Sequence, residues 1–157
     1  MRTNRVAIFS SNVNQLNSKV SRFLEELDTI AWFKNVGQPL HNQQVKQLFS
    51  WDDAWAHLQN ENWINASFHN HIDSMNPIWD IAYDKALQAV SKSIYCRELE
   101  EGISVADAAA YDVAAAAVEI ATGSSDTFFT NLMEWYRLGH WPCGWDEQYP
   151  EGKLIVY

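Results

Sequence analysis

Residues 104–123 of this chain read SVADAAAYDVAAAAVEIATG, and this alanine-rich stretch decides the fold. Alanine has the highest helix propensity, and its small side chain lets neighbouring helices approach closely. Ser104 and Asp107 have the spacing of a capping box, and Gly123 suits the positive φ that follows a helix. We therefore predict a central helix over 105–122, with the other elements packed around it.

The flanking sequence carries further helix signals at three- and four-residue apolar spacing. Asn76-Pro77 is a strong helix start, because Asn76 can cap and Pro77 has no N–H to lose. The predicted elements are a strand at Val6–Phe9, a helix over 16–31 ended by Gly37 and Pro39, a short helix around 45–49, a helix capped by Ser50, helical spacing over 68–75, a helix over 77–100 ended by Gly102, and a last helix from Ser124 or Ser125 to Gly139.

These elements predict an all-α fold, a single-domain bundle of about six to seven helices over residues 1–157. Residues 139–157 are rich in aromatic side chains and are expected to form an irregular C-terminal tail. The apolar runs Val6–Phe9 and Leu154–Tyr157 are candidates for a short two-stranded pairing of the two ends.

The charge is distributed unevenly along the chain. Residues 1–97 carry nine acids and nine bases, whereas residues 98–157 carry eleven acids against only Arg137 and Lys153, which accounts for the net charge of −9. This charge disfavours nucleic-acid phosphates and anionic membrane surfaces, and it favours a basic protein partner. Two cysteines, and no recognisable signal segment or apolar span, indicate a cytoplasmic protein.

The sequence therefore predicts a non-enzymatic protein-binding module, in particular an immunity or inhibitor protein for a basic partner such as a nuclease toxin. Aromatic side chains would anchor the contact and acidic side chains would steer the encounter. The candidate contact residues are Asp112, Glu119, Trp141, Trp145, Asp146, Glu147, Tyr149 and Glu151. This hypothesis requires that the carboxylates beyond residue 97 form one continuous outward face.

An alternative hypothesis is a small metal-dependent or acid–base helical enzyme. Its candidate ligands are His57, His69, His71 and Asp73, although histidines two residues apart share a face on a strand and not on a helix. Cys143 lies near His140, but its acidic neighbours raise a thiol pKa and favour a packing role. No hydrolase, kinase or dinucleotide motif is present, and no cofactor is expected.

Overall fold

The computed structural model describes residues 18–58, 76–147, 149 and 151–157. Six helices and three strands lie in these segments: α1 (18–26), α2 (Trp51–Leu58), α3 (Pro77–Ser91), α4 (Ile94–Glu98), α5 (Gly102–Thr122), α6 (Phe128–Arg137), β1 (Val45–Gln47), β2 (Pro142–Trp145) and β3 (Leu154–Val156). A 3-10 turn, Leu27–Thr29, continues α1. The predicted strand at Val6–Phe9 and the helical spacing over 68–75 lie outside the described residues.

Helix α5 is enclosed by its neighbours. Fourteen of its 21 residues are buried, and it packs against α3, α4 and α6. The prediction of a central alanine helix is confirmed, as is the left-handed Gly123 (φ 62°) after its last residue. The capping box is wrong: α5 begins at Gly102, so Ser104 lies within the first turn.

The long helix predicted over 77–100 is divided in two. Asn76 accepts a hydrogen bond from the Ile78 N–H at 2.9 Å, as predicted, but α3 ends at Ser91. Ser93 is extended (ψ 142°), and its hydroxyl accepts from the Cys96 N–H at 3.2 Å. A serine side chain that satisfies a free N–H favours the start of a new helix, α4, over continuation of the old one.

A small three-stranded sheet has the order β1-β3-β2. Val45–Gln47, predicted as helix, pairs in parallel with Leu154–Val156, which pairs on its other side antiparallel with β2. Both edges of β3 are thus occupied by β1 and β2, and the Val6–Phe9 segment that was expected to pair with Leu154–Tyr157 lies outside the described residues. The described chain is mostly helical, as predicted, but the sheet means that it is not all-α.

Within the tail, residues 139–144 and 154–157 are buried, and the tail supplies two of these three strands. Trp141 and Tyr157 exchange backbone hydrogen bonds of 2.8 Å in both directions. The Trp141 ring is 1% exposed and stacks on Trp51 at a centroid distance of 5.5 Å. The tail is therefore ordered against the helices and is not the irregular segment that was expected. In the part of the chain described, no helix is long and apolar enough to cross a bilayer.

Candidate functional site

Glu119 was predicted to contact a partner, but its carboxylate is buried and caps another helix. It accepts hydrogen bonds from the Phe129 N–H (3.0 Å), the Thr130 N–H (2.8 Å) and the Thr130 hydroxyl (2.8 Å). These donors form the first turn of α6, where a negative charge is stabilised by the helix dipole. Burial raises the pKa of Glu119 and these hydrogen bonds oppose the rise. Glu119 is thus a structural residue that joins α5 to α6.

Replacement of Glu119 by Gln should destabilise the protein by about 1–2 kcal/mol. One of the two oxygens that accept hydrogen bonds from α6 becomes an N–H₂ group, which is itself a donor and cannot accept them. Urea unfolding at neutral pH measures this loss. Glu98→Gln, at an exposed position before α5, is the matched control and should change the free energy of unfolding by less than about 0.5 kcal/mol. Equal losses in the two variants would contradict the capping role.

Asp112 is also buried, so its assignment to a contact surface is wrong. The Tyr136 hydroxyl on α6 donates to Asp112 Oδ2 at 2.6 Å. Burial raises the pKa of Asp112 to about 7, and the hydrogen bond from Tyr136 opposes the rise. The pair is a second polar link between α5 and α6, and neither group reaches solvent to meet a partner.

Trp141 is the third predicted contact residue that the core encloses, and the residues around it do not form a reactive pair. His140 Nδ1 lies 3.3 Å from the Tyr157 carbonyl, while the Cys143 thiol lies 3.7 Å from the Ile155 carbonyl. Burial lowers the pKa of His140 and raises the pKa of Cys143 to about 12. Cys143 is 1% exposed and fills the core, as the sequence favoured.

The acidic residues beyond position 97 do not form one face. Asp112 and Glu119 are buried, and Glu134 pairs with Arg137, which also binds Glu26. One remaining group, Glu98, Glu100, Glu101 and Asp107, lies around the beginning of α5. The other group, Asp126, Asp146, Glu147 and Glu151, follows its end. Because a 21-residue helix is about 30 Å long, the two groups are well separated and the predicted continuous face is wrong.

Asp126, from the second acidic group, lines a cleft of about 500 Å³ between α6 and the loop that joins β2 to β3, and the other three carboxylates of the group lie in that loop. We call it the aromatic cleft, and it is lined by Asp126, Phe128, Trp135, Trp145, Tyr149 and Lys153 together with smaller and aliphatic side chains. Three of its rings contact one another: Tyr149 lies 5.0 Å from Trp145 and 5.4 Å from Phe128, and Phe128 lies 6.1 Å from Trp145. The cleft thus combines aromatic walls with an acidic rim.

The loop beside the cleft is held in place by its own hydrogen bonds. The Asp146 N–H donates to the Lys153 carbonyl at 3.0 Å, and the Lys153 N–H donates to Asp146 Oδ1 at 2.6 Å. The Trp145 indole N–H donates to the Glu151 carbonyl. These bonds fix one wall of the cleft and leave the carboxylates of Glu147 and Glu151 exposed.

Two of the eight predicted contact residues, Trp145 and Tyr149, line the aromatic cleft. Three more, Asp146, Glu147 and Glu151, are exposed in the loop that forms one of its walls. Sequence reasoning missed Phe128 and Trp135 as parts of the site, whereas Asp126 is one of the carboxylates beyond residue 97 that were expected on the contact face. Phe128 and Trp135 lie in the predicted last helix, and both are partly exposed. The helical spacing of the apolar residues could not reveal this, because the facing residue Trp145 is ten or more residues farther along the chain.

The predicted metal ligands are only partly within the described residues. His57, on α2, packs with its Cβ against the backbone of Gly144 in β2. His69, His71 and Asp73 lie outside the described residues. Within the segments described, no group of three or more His, Cys, Asp or Glu side chains is placed to hold a metal ion.

Comparison with known proteins finds no matching family model, no matching curated protein and no matching solved structure.

Proposed function

We propose that this protein is a non-enzymatic binding module that takes up a basic protein at the aromatic cleft. The observation that carries the proposal is the coincidence of three mutually contacting rings, Phe128, Trp145 and Tyr149, with a local excess of carboxylates. Arginine and lysine side chains are attracted to aromatic faces and to carboxylates alike.

The charge around the cleft supports a cationic partner. Asp126 and Lys153 are the charged residues that line it within the described residues, and the loop at its wall adds three exposed carboxylates, Asp146, Glu147 and Glu151. Exposed carboxylates at the rim of an interface mainly accelerate the encounter with a partner of opposite charge. The partly buried rings would supply the affinity, because aromatic anchors carry much of the binding energy of an interface.

The specific form of this function that we propose is an immunity or inhibitor protein for a basic toxin such as a nuclease. A nuclease surface is built to hold phosphates, so a carboxylate-rimmed cleft can compete for the same arginines and lysines. Affinity capture from the native cell, with the purified protein as bait, should retain a basic partner. The expected result is that the purified protein inhibits the nuclease activity of this captured partner at one-to-one stoichiometry. If the captured partner has no nuclease activity, the assignment as a nuclease inhibitor is overturned, and only the more general function of a protein-binding module remains.

The combined substitution Asp146→Asn, Glu147→Gln and Glu151→Gln should slow association with the captured partner about tenfold at an ionic strength of about 0.1 M, because the electrostatic attraction is reduced. Dissociation should change less than about threefold, since rim charges contribute little to the bound state. Stopped-flow or surface-plasmon measurements at two salt concentrations give both rates.

A second triple variant, Glu98→Gln, Glu100→Gln and Asp107→Asn, removes the same net charge from the opposite end of α5. Its association rate should stay close to that of the unmodified protein, because the distance to the cleft exceeds the screening length of about 8–10 Å at moderate salt. Equal slowing in both variants would mean that net charge alone steers association. In that case the cleft is not the binding site.

A further inference from the structure

A second cavity, of about 540 Å³, lies on another part of the molecule. It is formed where residues 27–34, which follow α1, meet the end of α3 and the start of α4. Its walls are largely apolar and include Ile30, Trp32, Phe33, Ile94 and Tyr95. Both the volume and the walls are typical of sites that bind small molecules, and no part of the proposed function uses this cavity.

Phe33, one wall of the cavity, has an unusual backbone conformation. Its φ is 60°, a region that bulky L-residues rarely adopt, and its side chain is 2% exposed. The ring lies 5.2 Å from that of Tyr95 on the facing helix. Residues held in such conformations by the surrounding structure concentrate at ligand sites, and here the conformation places an aromatic ring in the cavity wall.

The charges at the cavity are balanced, although the protein as a whole carries −9. Asp28 and Glu98 contribute two carboxylates, and Lys34 and Lys92 contribute two ammonium groups. Within the described residues, none of the four forms an ion pair with a neighbour. A ligand with a single charge would be attracted by two of these groups and repelled by the other two. A ligand that carries one positive and one negative charge can place each charge beside a group of opposite sign.

We propose that this cavity binds a small aromatic zwitterion, a ring compound that carries both an ammonium group and a carboxylate. The ring occupies the apolar walls, where aromatic pairs are favourable at centroid distances of about 4.5–7 Å. The ammonium group pairs with Asp28 or Glu98, and the carboxylate pairs with Lys34 or Lys92.

The test uses L-phenylalanine as the probe, with 3-phenylpropionate, 2-phenylethylamine and toluene as analogues that lack one or both charges. Titrations followed by ¹H–¹⁵N NMR should show saturable shifts at Ser93–Tyr95 and at the Trp32 indole. L-Phenylalanine should bind at least about tenfold more tightly than each analogue, because each lost charge pair removes a charge-assisted contact. Ile94→Ala, at a 63% exposed wall position, should weaken binding severalfold.

Ile103→Ala is the matched control, because Ile103 is 86% exposed and lies outside the cavity. It should leave L-phenylalanine binding unchanged. Absence of saturable binding below about 10 mM would overturn the proposal. Equal affinity for toluene or 3-phenylpropionate would overturn the ligand class, and an unchanged affinity in the Ile94→Ala variant would overturn the location.

Discussion

Replacement of Gly102 by Ala should destabilise the protein by about 3 kcal/mol or more, and lower the melting temperature by about 6–12 °C. A Cβ at this position would lie 1.8 Å from the Cys96 carbonyl oxygen and 2.8 Å from its carbonyl carbon. Both atoms belong to the backbone of α4 and cannot rotate away. The first residue of α5 must therefore be glycine for α4 and α5 to meet as they do, and thermal or urea unfolding measures the loss.

Gly123→Ala is the control for this prediction at the other end of α5. Its φ of 62° is unfavourable for alanine, but beyond its own chain neighbours no atom of the described residues lies within 4 Å of the added Cβ. The expected loss is therefore the conformational cost alone, about 1 kcal/mol. If Gly102→Ala cost no more than Gly123→Ala, the close contact between α5 and Cys96 would be wrong.

Asp112→Asn should remove a pH dependence of stability that the unmodified protein shows between about pH 4 and about pH 7. The pKa of Asp112 is 3.8 in the unfolded chain and about 7 in the folded protein. Between these values the unfolded chain releases a proton that the folded protein retains, so a rise in pH favours unfolding. The contribution of Asp112 is thus fully present below pH 4 and is lost as the pH rises through 7.

The size of this effect follows from the shift in pKa. Each unit of pH within the window lowers the free energy of unfolding by about 1.4 kcal/mol, and the whole window by about 4 kcal/mol. Urea unfolding of both proteins at several pH values isolates Asp112, because Glu119 and His140 titrate alike in the two. The stability of Asp112→Asn relative to the unmodified protein should therefore improve steadily from pH 4 to pH 7.

Asp107→Asn provides the control, since Asp107 lies on the same helix but is exposed. Its free energy of unfolding should follow that of the unmodified protein at every pH, within about 0.5 kcal/mol. Tyr136→Phe removes the hydrogen bond that opposes the rise in pKa, so the loss of stability should extend to higher pH. Parallel curves for Asp112→Asn and the unmodified protein would contradict a buried, titrating Asp112.

The local signals in the sequence were sufficient for several helix boundaries. Asn76 caps its helix and Gly123 adopts the left-handed conformation that follows one, because both effects depend on neighbouring residues only. Ser93 was overlooked as a cap, and its neighbours were assigned to one long helix. A serine inside an apolar helical pattern can face solvent or start a new helix, and only the packing of α4 against α5 decides between them.

The candidate site was predictable only in part. The aromatic and acidic residues of the loop after β2 were identified as a contact surface, because their composition departs from that of the rest of the chain. Phe128 and Trp135, on the other side of the cleft, were not, since no local pattern joins them to Trp145. The approach of distant segments is set by the packing of the whole domain.

By itself, the sequence determined that α5 is a helix and that it is central, because alanine both favours the helix and allows close approach on every side. The tertiary structure alone decided which carboxylates are available to a partner. The helical repeat places Asp112 and Glu119 on one edge of α5, but whether that edge faces water depends on α6, which covers both. In the same way, β1 and β2, the two strands that pair with β3, are far apart in the sequence. Their pairing with β3 becomes favourable only when folding has brought these distant segments together.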